Sequence, residues 1–272
     1  MTKFQLVSDL HIDTNNLSVS DFPNIIIPSA PILVILGDTV RDPRDSLFID
    51  LLDWVSERFE RILYVSGNNE YKNVVTKKHK KTSNRKKLTI DEAEEYMVWL
   101  FDLYDNVTYL QRQSVVIGDT VFLGTTLWSY IPYKYRSFCR NRISDFYHTY
   151  TRISPLRKLT PEDTSNLYKR NTEWLKHEIN KYRRSSKKIC VLTHHAPLPY
   201  LHPGHGEEDW GAYAYGCNVG FLMYYVDMWC FGHIHYNINK KYDVTNCQII
   251  SNCMGYRDDN IQDYDTELVI DI

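Results

Sequence analysis

The sequence lacks any apolar run long enough to cross a lipid bilayer. A membrane-spanning helix needs about 18 to 20 consecutive apolar residues, and no stretch of the 272-residue chain approaches that length. A secretory signal is also missing, because Thr2 and Lys3 are followed at once by an apolar, strand-like run that begins at Phe4. We therefore expect a soluble, cytoplasmic protein with no membrane partner.

Strong charge and paired cysteines are missing as well. The formal net charge is only −2, so nothing global indicates nucleic acid or an anionic membrane as a partner. The six cysteines form no C-x-x-C pair, and Cys190 and Cys230 lie within apolar runs, where a thiol acts as a small hydrophobe. A reduced, intracellular protein is expected. No repeat, low-complexity tail or linker interrupts the chain, which predicts a single domain over residues 1–272.

The sequence does contain a series of short apolar strands that each end in polar residues. Strand, helix and strand alternate, which is typical of an α/β sheet with its site at the carboxyl ends of the strands. In the first strand, residues two apart point the same way, so its terminal carboxylate and imidazole project together. The polar residues at the strand ends are Asp9 and His11, Asp38, Asn68, His194 and His195, and His233 and His235.

These strand-end residues have the chemistry of metal ligands. Carboxylates, imidazoles and one amide oxygen suit manganese, iron or zinc, and no cysteine joins them as in a structural zinc site. Any one of the histidines taken alone is more often a loop or core residue, but five strand ends repeat the pattern. Seven or eight ligands exceed the need of one ion, so two divalent ions that share a bridging carboxylate are predicted. Such a pair clamps the attacking and leaving oxygens of a phosphoryl transfer.

The motifs D-x-H, G-D, G-N-x-E, T-H-H and G-H-x-H occur in this order, and together they resemble the calcineurin-like metallophosphoesterases. Segments 124–128 and 251–256 also resemble members that carry T-H-H-A-P. The resemblance implies a two-sheet α/β sandwich flanked by helices, with a dinuclear metal site between the ends of the sheets. It implies a metal-dependent hydrolase of phosphate mono- or diesters, and it leaves the choice between phosphatase and phosphodiesterase open.

The resemblance also implies a role for each strand-end residue. One ion would be held by Asp9, His11 and His235, and the other by Asn68, His194 and His233, with Asp38 bridging the two. His194 is preferred to His195 because it lies at the end of its strand, and His195 would then face the substrate or orient its neighbour. Water activated by the two cations is the expected nucleophile. Manganese is the ion expected to serve in vitro.

The chain departs from the family pattern at Asn69. The family has a His there, which stabilises or protonates the leaving oxygen, whereas an Asn donates a hydrogen bond but transfers no proton near neutrality. Glu70, which usually orients that His, is present. Asn69, Glu70 and His195 are therefore the candidate catalytic residues of a hydrolase with impaired leaving-group protonation. A metal-binding scaffold or protein-interaction module of the same fold is the alternative.

Two further segments bear on the substrate. Residues 72–87 hold eight Lys or Arg and no acid, so this basic loop insertion would either steer a polyanion such as RNA or a nucleotide, or form a solvated loop. Residues 128–159 interleave basic and aromatic residues without a clean period, which is typical of a loop that covers a site. Its tyrosines would either stack on bases or pack against the protein. The candidate substrate contacts are Lys77, Lys78, Arg140 and Arg142.

Overall fold

The structure, a computed structural model, describes residues 1–74, 85–151, 156–202, 204, 206 and 209–272. Two β-sheets face each other, and helices cover the outer face of each sheet. This arrangement confirms the two-sheet α/β sandwich that was predicted from the sequence. None of the helices within the described ranges combines the length and apolar character that a bilayer-spanning segment requires.

The first sheet of the described chain consists of β1 (Lys3–Val7), β2 (Ile32–Ile35), β3 (Arg61–Tyr64), β4 (Val107–Tyr109) and β13 (Val269–Asp271). The strands lie in the order β13-β1-β2-β3-β4. Strands β1 to β4 are mutually parallel, and β13 pairs antiparallel with β1 at the edge. The carboxyl ends of β1, β2 and β3 therefore meet at one edge of the sheet.

The second sheet consists of β5 (Gln113–Ile117), β6 (Thr120–Thr125), β9 (Lys188–Thr193), β10 (Met228–Phe231), β11 (Ile238–Lys241) and β12 (Gln248–Ser251). Their order is β11-β12-β10-β9-β6-β5, with the four central strands parallel and both edge strands antiparallel. A separate small ladder joins β7 (Tyr150–Thr151) to β8 (Arg157–Lys158). The second sheet thus repeats the design of the first, a parallel centre with its own carboxyl edge.

The helices of the described residues are α1 (Phe22–Ile25), α2 (Ser46–Ser56), α3 (Ile90–Phe101), α4 (Tyr133–Arg140), α5 (Asp145–His148), α6 (Pro161–Tyr182) and α7 (Trp210–Tyr215). The long helix α6 begins as its sequence predicts. Thr160 is the N-cap and accepts a hydrogen bond from the backbone amide of Asp163, and Pro161 occupies the first turn, where its missing N–H costs nothing.

The apolar runs of the strands fill three layers of core. One layer lies between the sheets and includes Phe4, Leu6, Val34, Phe122, Cys190 and Cys230. The other two lie outside the sheets: Val7 and Ile35 pack with α2 and α3, and Trp229 and Phe231 pack with α6. Because both faces of the central strands are buried, their sequences are continuously apolar rather than alternating.

The segment 128–159 has more regular structure than its sequence indicated. It contains α4, α5 and both strands of the small β7–β8 ladder. Tyr135 and Phe138, one turn apart on α4, face Tyr213 and Trp210 of α7 with ring centroids 5.6 and 5.1 Å apart. Helices of one or two turns bury too few residues to create a visible apolar period, which is why the sequence showed none.

Candidate metal centre

Apart from His195, the strand-end residues singled out in the sequence all lie at one seam of the sandwich. Residues that follow β1, β2 and β3 meet residues that follow β9 and β10, because the carboxyl edges of the two sheets face each other. Asp9, His11 and His194 are fully buried, and Asp38 and Asn68 are 2% and 3% exposed. Such burial of charged and polar groups is costly unless they are paired or bind a metal.

The turns that carry these side chains have an unusual backbone. Positive φ angles between 43° and 70° occur at Asp9, His11, Asp38, His233 and His235. The left-handed region is uncommon for residues other than glycine, and such strain collects at functional sites, where the surrounding structure holds it in place. Each turn bends the chain sharply at the end of a strand and directs the side chain into the seam.

Close contact between two loops also depends on glycine. At Gly37, which has φ of 80°, an added Cβ atom would overlap the backbone of Gly67. At Gly67, an added Cβ would overlap the Asp38 carboxylate. The two glycines therefore let the loops after β2 and β3 touch, which brings Asp38 next to residues 68 and 69.

One cluster of possible metal ligands consists of Asp9, His11 and His235, and we call it the first group. The Nε2 atoms of His11 and His235 are 3.0 Å apart, and His235 Nε2 is 3.2 Å from Asp9 Oδ1. Asp9 Oδ1 is buried and accepts no well-directed hydrogen bond from the described residues. An unpartnered carboxylate oxygen beside two converging ring nitrogens is the donor set that a divalent cation would satisfy.

The second group consists of Asp38, His194 and His233. His194 Nε2 lies 3.3 Å from Asp38 Oδ1, 3.1 Å from His233 Nδ1 and 3.0 Å from the side-chain oxygen of Asn68. The other oxygen of Asp38, Oδ2, lies 3.9 Å from His11 Nε2 in the first group. Asp38 thus stands between the two groups with one oxygen toward each, as a bridging carboxylate would.

Hydrogen bonds behind the imidazoles fix their orientation. His194 donates from Nδ1 to the carbonyl oxygen of Leu36 at 2.7 Å, and His235 donates from Nδ1 to Asp259 Oδ2 at 2.6 Å. Both rings therefore present Nε2 to the seam. Metal-binding histidines in proteins are held in the same way, by an acceptor on the ring nitrogen that does not bind the metal.

The charges of the seam also suit cations. Burial lowers the pKa of His194, but the Asp38 carboxylate outweighs burial and raises that pKa to about 9. Burial likewise opposes the charge of His235, yet the carboxylates of Asp259 and Asp9 raise its pKa to about 10. Burial favours a neutral Asp9, but its interactions with His235 and His194 lower its pKa to about 2. The carboxylates and imidazoles of the seam therefore shift one another's pKa in opposite directions, as closely packed groups of opposite charge do.

The Asn69 side chain is buried at the second group. Its amide nitrogen donates to Asp38 Oδ2, its backbone N–H donates to Asp38 Oδ1 at 2.8 Å, and its oxygen accepts from Lys72 Nζ at 2.6 Å. Lys72 also pairs with Asp145 Oδ1 at 3.1 Å. The basic segment of the sequence therefore begins with a residue, Lys72, that is only 6% exposed and lies at the site.

The Glu70 carboxylate holds backbone rather than the side chain at position 69. It accepts hydrogen bonds from the backbone amides of Asp38, Thr39 and Gly67 at 2.7 to 3.0 Å, and from the hydroxyl of Tyr64 at 2.9 Å. Burial and the neighbouring Asp38 charge raise the pKa of Glu70 to about 7. Its contacts tie the loop after β2 to the loop after β3.

His195 packs behind the second group. Its ring centroid is 4.1 Å from that of His233 and 5.8 Å from that of Trp128, and its Nδ1 lies 3.2 Å from the carbonyl oxygen of Thr126. Burial and the charge of His194 lower its pKa to about 3. The structure thus places His194, rather than His195, among the atoms that converge at the seam.

A cavity of about 340 Å³ opens over the seam. Of the candidate substrate contacts, Arg142 lines this cavity, Arg140 lies at the exposed end of α4, and Lys77 and Lys78 fall outside the described residues. The lining also includes residues that the sequence did not single out as site residues, among them Lys72, Asp145, Tyr256 and Asp259. Tyr256 stacks on His11 with centroids 4.0 Å apart and lies in the segment 251–256, which the family resemblance had already marked.

Comparison with known proteins agrees with this geometry. Over 283 aligned residues the chain is 28% identical to an uncharacterised protein, L509, of Acanthamoeba polyphaga mimivirus, covering 94% of this chain and 92% of that protein. The fold is similar to the crystal structure of phosphopantetheinyl hydrolase from Mycobacterium tuberculosis, with a TM-score of 0.72 and 15% identity over 97% of this chain and 94% of that chain. The family model for calcineurin-like phosphoesterases matches residues 2–237. The chain therefore belongs to the calcineurin-like phosphoesterases, generally metal-dependent enzymes that typically bind two divalent ions.

Proposed function

We propose that this protein is a dinuclear metal-dependent hydrolase of phosphate mono- or diesters. The observation that carries the proposal is the position of Asp38, whose two carboxylate oxygens face two separate groups of His and Asp side chains. One group alone would suit a single-ion site of many functions. Two groups that share a carboxylate suit the transfer of a phosphoryl group between two oxygens.

In this proposal the first ion is held by Asp9, His11 and His235. The second is held by Asn68, His194 and His233, and Asp38 bridges the pair. When bound, the two ions supply an activated water and neutralise charge on the phosphoryl oxygens. The donor set of carboxylate, imidazole and amide oxygen suits manganese, iron or zinc, and manganese is the ion we would add in assays.

The residues of the chain around the two groups bind and orient the ester. The cavity lies at the lower end of the size range of small-molecule sites, which favours a small phosphate ester or a nucleotide. Arg142 at its wall offers positive charge to the phosphate. Asn69 donates a hydrogen bond at the second group but supplies no proton, so esters whose leaving oxygen departs as an anion should react fastest.

A scaffold that binds metals without turnover is the second candidate, and Asn69 is the observation that favours it. The Asn69 amide is already hydrogen-bonded to Asp38 and Lys72. An amide also does not transfer a proton to a leaving oxygen near neutrality.

Hydrolysis of an aryl phosphate and an aryl phosphodiester in added Mn²⁺ distinguishes the two candidates. We expect turnover that disappears with EDTA and returns with Mn²⁺, because an aryl leaving group needs little protonation. The same purification of Asp38→Asn serves as the control for contaminating phosphatases. Equal rates from both preparations, or no rate from a protein shown to contain two ions, would favour the scaffold.

A further inference from the structure

Lys72 and Asp145 form a buried ion pair beside the second group. Each residue is 6% exposed, and Lys72 Nζ lies 3.1 Å from Asp145 Oδ1. The pair contacts two neighbouring side-chain amides. Lys72 donates to the Asn69 oxygen at 2.6 Å, and Asp145 Oδ1 accepts from the Asn68 amide nitrogen at 2.9 Å.

The two charged groups select opposite orientations of the two amides. An amide presents an acceptor on one side and a donor on the other, and rotation by half a turn exchanges them. The ammonium of Lys72 only donates, so it binds the oxygen side of Asn69. The carboxylate of Asp145 only accepts, so it binds the nitrogen side of Asn68.

These opposite orientations are the ones that the candidate centre needs. With its nitrogen on Asp145, Asn68 turns its oxygen toward His194 Nε2, 3.0 Å away, where a ligand oxygen is required. With its oxygen on Lys72, Asn69 turns its NH₂ group toward Asp38. Rotation of the Asn68 amide would replace its ligand oxygen with an NH₂ donor. Rotation of the Asn69 amide would turn an acceptor oxygen, instead of a donor, toward Asp38.

We propose that Lys72 and Asp145 are positioning residues that hold the side chains of Asn68 and Asn69 in opposite orientations at the metal centre. This inference rests on the proposed function. It also gives the segment 128–159 a defined task, since α5 of that segment begins at Asp145 and delivers its carboxylate to the loop after β3.

A purely stabilising role predicts something different. Burying an ion pair costs desolvation energy that the attraction often fails to recover, so replacing both partners by apolar residues is frequently neutral for stability. The positioning role instead predicts that metal affinity changes with the hydrogen-bonding capacity of residue 145, whatever the stability of the variant.

The first test measures metal affinity and therefore does not require turnover. Asp145→Ala removes the acceptor for Asn68 and should weaken the second ion ~10–100-fold, as loss of a supporting residue does at other metal sites, while the first ion is unaffected. Asp145→Asn keeps an acceptor oxygen without the charge and should bind both ions close to wild type. Titration of Mn²⁺ into each metal-free variant, with folding checked by circular dichroism, gives the two affinities.

The second test measures hydrolysis of an alkyl or nucleoside phosphate, whose leaving oxygen gains most from a hydrogen-bond donor at Asn69. Lys72→Met releases the Asn69 oxygen, so it should keep both ions and the wild-type KM while kcat falls by ~10²-fold, the typical cost of losing one preorganised donor. Lys169→Met on the exposed face of α6 is the matched control and should leave both constants unchanged.

Each outcome decides the inference. Equal weakening in Asp145→Ala and Asp145→Asn would show that charge rather than an acceptor oxygen matters, and wild-type affinity in both would also overturn it. If Asp145→Ala fails to fold, an unchanged kcat in Lys72→Met would be enough by itself to overturn the inference. A wild-type protein without turnover would refute the proposed function, while the Mn²⁺ titrations would still decide whether Asp145 positions Asn68.

Discussion

In the second group, the imidazole of His194 is fully buried and bonded to the Leu36 carbonyl, and Asn68 is supported by the buried Asp145. In the first group, the His235 side chain is 17% exposed, and its supporting Asp259 is 34% exposed. Each group has two buried side chains and one partly exposed imidazole, so the two groups differ mainly in the exposure of the carboxylate that supports them. Because Asp145 is buried and Asp259 is partly exposed, we expect an ion bound at the second group to exchange more slowly than an ion bound at the first.

The same comparison separates the contributions of the two sheets. The loops of the first sheet supply both carboxylates, the amide and one imidazole, whereas the loops of the second sheet supply only imidazoles, His194, His233 and His235. Neither sheet carries a complete set for either ion. The centre therefore depends on the packing of one sheet on the other, through the apolar layer between them.

Replacing the shared residue should have the largest effect. Asp38→Asn removes the negative charge that both groups face, so we expect weakened binding of both ions and loss of hydrolysis. The affinity loss should exceed the ~10–100-fold that a supporting residue costs. Asp50→Asn on the exposed side of α2 is the control. If elemental analysis finds only one ion missing from Asp38→Asn, then Asp38 does not bridge.

Restoring an acid beside the second group should have the next largest effect. General acid catalysis contributes ~10²–10⁴-fold, so Asn69→His should raise kcat by that order on alkyl or nucleoside esters. The gain should be much smaller on aryl esters, whose leaving oxygen departs without a proton, and metal content should not change.

Paired assays of the two ester types check the assignment of position 69. Equal gains on both esters, or none on either, would exclude the leaving-group role of this residue. His195 would then be the next candidate for the acid, although it packs behind His233 in the structure.

Weakening the partly exposed support of the first group should have a smaller and more local effect. Asp259→Asn loses the charge that holds the Nδ1 proton of His235, and we expect ~10–100-fold weaker binding of the first ion only. Mn²⁺ titration of the variant measures this. A matching loss at the second group would mean that the two groups do not differ in the way that their burial indicates.

The strand ends were predictable because each central strand is buried on both faces and is therefore a continuous apolar run. The polar residues that interrupt those runs mark the edge where the site forms, so Asp9, Asp38 and His233 were all identified. By contrast, β11 was missed, because the sequence Ile238–Lys241 forms an edge strand whose exposed residues show no apolar pattern.

The supporting residues were not predictable. Lys72 reads as the first member of a solvated basic segment, and only the folded chain shows it buried against Asn69. Asp145 lies 77 residues from its partner Asn68, and no local pattern links them. Left-handed turns at non-glycine residues such as His11 also leave no sequence signal, because the surrounding contacts impose them.

Counting metal ions during staged chelation tests the central claim most directly. We expect two Mn²⁺ per chain in the metal-replete protein and a two-step loss as EDTA is raised, with the first group, whose supporting Asp259 is partly exposed, emptied before the second. Elemental analysis of each intermediate preparation, divided by its protein concentration, gives the number of ions per chain. A metal-replete protein that holds one ion or none would contradict the dinuclear centre, and loss of both ions in a single step would contradict the difference between the groups.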